Sequence, residues 1–275
     1  NNLLPIVVMH GVSQGNEGVE DISRWARESI PGADVINCEV GDGAFSSIFM
    51  SMRDQIEELS ACINNDKRTI DGFVALGVSQ GGFLMRGYLQ FHNHHRNPMK
   101  RFVGLAPPMG GFFCGNHSYC NGKLLPEVIN KIIKDIAYSE FAQNLVGPAA
   151  FWRDPFQIEK FKESKTVLAE LDNLQVKNQT LKQNFMSVDK FVLFGAEDDA
   201  VIEPWCSSQF CQWNIDDKTF VTMEDRLDYL DDNFGLKTMN EQNRIVKVKG
   251  INHYKYNTNE TFFKENVVQY LKVNK

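Results

Sequence analysis

Short apolar runs alternate with amphipathic stretches through the first third of the chain. Ile6-Val7-Val8-Met9, Asp34-Val35-Ile36-Asn37-Cys38 and Phe73-Val74-Ala75-Leu76 each have the length and uniform apolarity of a buried parallel strand. Between the second and third, Ile48, Met52, Ile56, Leu59 and Ile63 recur at helical spacing, which predicts one helix from Ser46 to Asn64. A further helix is predicted from Gln80 to Phe91. Phe102-Val103-Gly104-Leu105-Ala106 forms a fourth strand, ended by Pro107-Pro108. This alternation specifies a doubly wound α/β sheet with ligands at the carboxyl ends of its strands. After Pro108 the strand pattern stops. Helical segments around Leu125 to Ile136 and Glu140 to Leu145 follow, and strands resume only with Lys190-Phe191-Val192-Leu193-Phe194 and Arg244-Ile245-Val246-Lys247-Val248, before a last helix near Glu260 to Leu271. The expected division is a core of residues 1–107 and 188–275, with 108–187 inserted as a mainly helical cap. Large apolar groups crowd that insertion, among them Phe112, Phe113, Phe141, Phe151, Trp152 and Phe156. Most are expected to pack the cap on the core.

Chemistry enters at Gly77-Val78-Ser79-Gln80-Gly81, directly between the third strand and the helix after it. A serine on such a sharp strand-to-helix corner presents its hydroxyl above the sheet, and glycines flank it where a side chain would collide with neighbouring backbone. A hydroxyl is a weak nucleophile near neutral pH, so it needs a base and a carboxylate to orient the base. In this architecture the chain order is serine, acid, histidine. Asp198 and Asp199 follow the strand at Phe191–Phe194, and His253 follows the strand at Ile245–Val248. Either aspartate could reach an imidazole; Asp199 is preferred, because Ala200-Val201-Ile202-Glu203-Pro204 reads as the return segment packed beneath the acid. His92, His94, His95 and His117 read as solvated surface, without the companions of a metal site. The oxyanion of a tetrahedral intermediate needs backbone N–H donors, for which Gln80, and Val12 in the His10-Gly11 loop after the first strand, are the candidates.

Composition narrows the partners. At 275 residues and 43% hydrophobic content, one enzyme-sized core or a core with a lid is expected. A net charge of −6 with scattered Lys and Arg gives no footprint for nucleic acid, and no apolar stretch is long enough to span a bilayer. No cofactor and no metal is called for. The chain opens on a strand without a basic-apolar-small leader, which fits a cytosolic protein or a mature form whose signal peptide has been removed. Six cysteines include two close pairs, Cys114 with Cys120 and Cys206 with Cys211, spaced for short disulfide loops rather than zinc. Acceptor sequons stand at Asn116, Asn178 and Asn259. Together they favour an oxidising, secretory compartment.

These residues resemble the palmitoyl-protein thioesterases, lysosomal α/β-hydrolases that remove fatty acyl groups from S-acylated cysteine. The likeness runs through Leu4-Pro5-Ile6-Val7-Val8-Met9-His10-Gly11, Gly77-Val78-Ser79-Gln80-Gly81-Gly82, Phe151-Trp152-Arg153-Asp154-Pro155, Asp199-Ala200-Val201-Ile202-Glu203-Pro204 and the stretch from Asp225-Arg226-Leu227 to Gly235-Leu236. The resemblance implies an α/β-hydrolase fold, a Ser79–Asp199–His253 triad, Val12 and Gln80 as oxyanion donors, and a Cys114–Cys120 disulfide. It departs at Cys62, whose usual partner is replaced near His92, and Cys38, Cys206 and Cys211 are additional. Cys206–Cys211 and Cys38–Cys62 are therefore the expected remaining bridges. The implied substrates are S-palmitoylated proteins or peptides, or acyl-CoA, with Phe141 and Trp152 as candidate walls of an acyl groove and the lysosome or secretion as destination. The competing readings are a lipase or carboxylesterase, an acyl-CoA thioesterase, and a non-catalytic acyl-binding module, which would have no need of all three triad residues.

Overall fold

The computed structural model describes residues 2–93, 96–114, 135–216 and 218–275. Six parallel strands form one sheet in the order β2-β1-β3-β4-β5-β8: β1 Ile6–Met9, β2 Val35–Cys38, β3 Phe73–Val78, β4 Met99–Leu105, β5 Phe191–Gly195 and β8 Ile245–Lys249. Both faces of β1 and β3 are buried along their whole length, as the unbroken apolar runs require of central strands covered by helices. At the edge, β8 starts at buried Ile245 and then alternates half-buried and exposed positions instead. The order reverses direction about β1, so the loops after β1 and β3 lie side by side at the carboxyl ends of neighbouring strands.

One face of the sheet is covered by α1 (Glu20–Ser29) and by the C-terminal helix, which the sequence reads as one element. It is α11 (Glu260–Phe262), a π-type turn over Phe263–Val267, and α12 (Val268–Leu271). The other face carries α3 (Met52–Asn65) and α4 (Gln80–His92), and its core is continuous with buried Phe112, Trp152, Phe161 and Phe185 from the segment between β4 and β5.

The helix predicted from Ser46 to Asn64 is two helices, α2 (Ala44–Phe49) and α3. Met50 between them is extended, and Ser51 starts the second by accepting the Asp54 N–H at 3.1 Å while its hydroxyl donates to Asp54 Oδ2 at 2.7 Å. That reciprocal cap stops the first helix and starts the next without interrupting the apolar period. Between β4 and β5 lie α5 (Glu140–Leu145), α6 (Ile158–Glu163), α7 (Val167–Leu171) and α8 (Gln179–Phe185). The helix expected from Leu125 falls mostly outside the described residues. Beyond β5, the two-residue strands β6 (Gln212–Trp213) and β7 (Phe220–Val221) form an antiparallel pair, and α9 (Leu227–Leu230) and α10 (Leu236–Glu241) lead to β8.

Cys38–Cys62 and Cys206–Cys211 are both bridged. The Cys114–Cys120 pairing lies outside the described residues, as does Asn116. Asn178 is exposed and caps α8 through Oδ1, and half-buried Asn259 caps α11 in the same way. Among the described residues no helix is long and apolar enough to cross a membrane.

Candidate active site

Ser79 sits between β3 and α4 with φ +52 and ψ −126, a left-handed backbone that a serine adopts only under constraint. The constraint is close backbone contact. A Cβ on Gly81 would lie 2.3 Å from Met9 O and 2.4 Å from His10 O, and one on Gly77 would lie 2.4 Å from Gly82 Cα. Neither position tolerates a side chain, so the corner stays tight and its serine stays raised. Ser79 N–H donates to Leu105 O at 2.8 Å, which ties the corner to the end of β4.

Asp199 and His253 converge from two later strands. Asp199 follows β5 with its side chain wholly buried. Its Oδ1 accepts the N–H groups of Val201 at 2.9 Å and Ile202 at 2.8 Å, while Oδ2 meets His253 Nδ1 at 3.0 Å. The segment Ala200–Ile202 thus lies beneath the acid. Asp198 is exposed, and its contribution is a backbone carbonyl that accepts Asn252 Nδ2–H at 2.7 Å. That bond steadies the loop carrying His253. Of the two aspartates, it is Asp199 that reaches the imidazole.

Ser79 and His253 line one cleft of about 330 Å³ with Gly11, Val12, Val201 and Tyr254. The floor is tight, since a Cβ on Gly11 would stand 3.2 Å from Ser79 Cβ. Among the described residues the Ser79 hydroxyl forms no hydrogen bond, and Ser79 is 4% exposed where it lines the cleft. Gln80 opens α4, and its buried side chain donates to Ser47 O at 2.8 Å and to Gln55 Oε1 at 3.0 Å. Phe141 and Trp152 are not among the cleft's lining residues. Phe141 is 66% exposed on α5, whereas Trp152 is buried against Phe112 and Phe113 at ring separations of 5.8 and 5.4 Å. His92 contacts Glu57 at 3.1 Å far along α4, and His94, His95 and His117 lie outside the described residues.

Sequence reasoning missed the buried ion cluster behind α4. Asp172, at the end of α7, accepts Arg86 Nη2–H at 2.7 Å on Oδ1, and Arg153 Nη1–H at 3.0 Å and Arg226 Nη2–H at 2.7 Å on Oδ2. Arg226 also pairs with Asp228. Three guanidiniums thus face two carboxylates with almost no solvent access. The surplus positive charge is spread onto Met109 O and Phe210 O, each 3.0 Å from a guanidinium nitrogen, and onto the faces of Phe234 and Phe161. Burial and the Arg226 charge bring Arg153 down to about 10, so it remains cationic at neutral pH. Burial alone would raise the Asp228 carboxyl, but Arg226 and Arg153 outweigh it and hold the group below its ordinary value. One signal in the sequence marks this site: Arg86 interrupts the otherwise apolar helical stretch that follows Ser79.

The chain is 35% identical over 243 residues to palmitoyl-protein thioesterase 3 of Dictyostelium discoideum, covering 88% of this chain and 81% of that one. It is 28% identical to lysosomal thioesterase PPT2-B of Xenopus laevis, covering 97% and 92%. Among solved structures, the mature lipase BlEst2 of Bacillus licheniformis superposes with a TM-score of 0.55 at 12% identity over 99% of this chain and 93% of that one, a likeness of fold alone. The fold is that of the α/β-hydrolases. With the palmitoyl protein thioesterase profile matching residues 5–253, the chain belongs to the palmitoyl protein thioesterase family of hydrolases.

Proposed function

We propose that this chain is a serine thioesterase that hydrolyses long-chain fatty acyl thioesters, palmitoyl groups on protein cysteines above all, through an acyl-enzyme on Ser79. The observation that carries the reading is the 3.0 Å contact between His253 Nδ1 and Asp199, beside a serine held at positive φ in the same cleft. Asp199 can only accept at that contact, so Nδ1 carries the proton and Nε2 is left as the base. Ser79 Oγ attacks the thioester carbonyl while Nε2 takes the hydroxyl proton. The tetrahedral oxyanion is met by the backbone N–H groups of Val12 and Gln80. As it collapses, the C–S bond breaks and Nε2 hands the proton to the leaving sulfur. Water, deprotonated by the same nitrogen, then adds to the acyl-serine ester and releases the fatty acid and Ser79.

Residues 108–187 act as the cap, and the acyl chain runs from the cleft toward exposed Phe141, with Trp152 packing the cap through Phe112 and Phe113. Apolar surface left open on α5 supports the route, since each methylene buried there contributes about 0.8 kcal/mol. The names of the relatives support a lysosomal or secreted destination, and two bridged cysteine pairs suit an oxidising compartment. The test is one preparation assayed on acyl thioesters of four to sixteen carbons, on the matching oxygen ester and on acyl-CoA, with and without Ser79→Ala. Ser79→Ala should cut turnover by about 10³ to 10⁶ while the protein stays folded, and kcat/KM should rise with chain length. Activity of Ser79→Ala within tenfold of the parent rules out the serine mechanism. A flat chain-length profile with faster oxygen-ester hydrolysis makes the protein a carboxylesterase, and no turnover of any ester leaves an acyl-binding module.

A further inference from the structure

The geometry points to His10 and Ser47 as the pair of positioning residues that aim the Val12 N–H at the oxyanion, by pinning the peptide groups on either side of Val12. This rests on the serine-hydrolase reading above and extends it to residues outside the triad.

The first pin is His10. It is 1% exposed, and its Nδ1 lies 2.9 Å from Gly11 O. A carbonyl can only accept, so Nδ1 bears the proton. The Gly11–Val12 peptide is trans, and in a trans peptide the N–H points opposite to the C=O. Holding Gly11 O on the imidazole therefore turns the Val12 N–H away from it, and Gly11 and Val12 both line the cleft beside Ser79. Burial lowers the His10 pKa, outweighing its bond to Gly11 and the charges of Glu39 and Glu17, which favours the neutral ring with its single donor.

The second pin is Ser47 on α2, which is wholly buried. Its Oγ accepts the Ser13 N–H at 2.8 Å and donates to Ala44 O at 2.7 Å. Ser13 has φ +59, a conformation that costs a non-glycine residue energy and needs such a bond to hold it. The carbonyl of Ser47 accepts the side-chain N–H groups of Gln80 at 2.8 Å and Gln55 at 3.2 Å. Ser47 thereby joins the loop bearing one oxyanion donor to the residue bearing the other. The two donors come from loops nearly seventy residues apart in sequence, and an oxyanion hole works only when both are fixed before charge develops.

The test uses the full chain and compares kcat and KM on a palmitoyl thioester with inhibition by a long-chain trifluoromethyl ketone. Addition of Ser79 Oγ to that ketone sends its proton to His253 and leaves an alkoxide in the oxyanion hole. Ser47→Ala and His10→Ala should each lower kcat by about 10- to 100-fold, with KM within about twofold. Ketone affinity should weaken by the same factor. Ser47→Thr and His10→Asn, which restore an oxygen and an N–H donor, should regain most of the loss. Ser47→Cys, close in volume but a poor acceptor, should behave like the alanine variant and serves in its place if that one does not fold. Turnover within twofold of the parent in the alanine or cysteine variants overturns the inference, as does a loss carried by KM or one without matching loss of ketone affinity. Ser79→Ala assayed beside them keeps the two ideas apart. If it retains activity, the serine reading fails; if it is inactive while the Ser47 and His10 variants match the parent, only the positioning role fails.

Discussion

Two buried carboxylates in this molecule, Asp199 and Asp172, are satisfied in opposite ways. Asp199 spends one oxygen on backbone N–H groups two and three residues ahead, which locks its own turn, and offers the other to a single imidazole at the cleft. Asp172 spends both oxygens on three guanidiniums drawn from positions 19 to 86 residues away. The first carboxylate holds an imidazole that, in the proposed mechanism, must still move a proton. The second has no capacity left for chemistry and instead joins α4, the segment between β4 and β5, and the Arg226 loop into one body. Buried charge thus orients a single imidazole at the cleft in one place and joins distant segments in the other.

The sharpest way to separate the two is Asp199→Asn. An amide keeps an oxygen for the Val201 and Ile202 N–H groups but holds the imidazole in the wrong tautomer, so turnover should fall by about 10⁴ with little change in stability. Asp198→Asn should leave turnover nearly unchanged, and the comparison of the two rates checks the choice of acid. A deeper loss for Asp198→Asn would exchange their roles. The reverse pattern belongs to Asp172→Ala, which strands buried guanidiniums and should cost about 3 to 5 kcal/mol in urea denaturation while the folded fraction keeps its kcat. A variant as stable as the parent would mean that the cluster is not what binds the segments together.

A smaller effect should appear with pH. The Asp228 carboxyl is lower in the folded chain than in the unfolded one, so the folded state binds fewer protons in that range. Its contribution to stability is complete above the ordinary aspartate value of about 4, and is lost as pH falls through the depressed value. Thermal midpoints measured downward from neutral pH should therefore begin to lose this contribution near pH ~4, and the acid-side loss should be shallower in Asp228→Asn. Equal acid slopes in parent and variant would assign the loss to other carboxylates.

The same contrast explains what was legible before the structure. Ser79 announces itself because its corner is local: a strand, two glycines that backbone contacts require, and a helix, all within a few residues. Asp199 and His253 follow from strand order, since each must fall just after a parallel strand. Asp172 gives no such sign, because the arginines that explain it stand in three other segments and pairing across those distances leaves no period in the chain. The break between α2 and α3 was hidden for a different reason, as its cap interrupts the backbone while the apolar spacing runs on. Ser47 lies within α2, just ahead of that break. Apolar content alone also could not tell buried Trp152 from exposed Phe141.

The bridge between Cys38, the last residue of β2, and Cys62 in α3 has a consequence for when the enzyme becomes competent. It closes the intervening chain, α2 and Ser47 included, into a covalent ring laid against the loop after β1. A newly made chain with reduced thiols lacks that ring, and its Ser47 is held by hydrogen bonds and by the packing of α2 without covalent closure. Catalytic readiness should then ripen with sulfur oxidation rather than with folding alone, and reductant should slow the enzyme before it unfolds it.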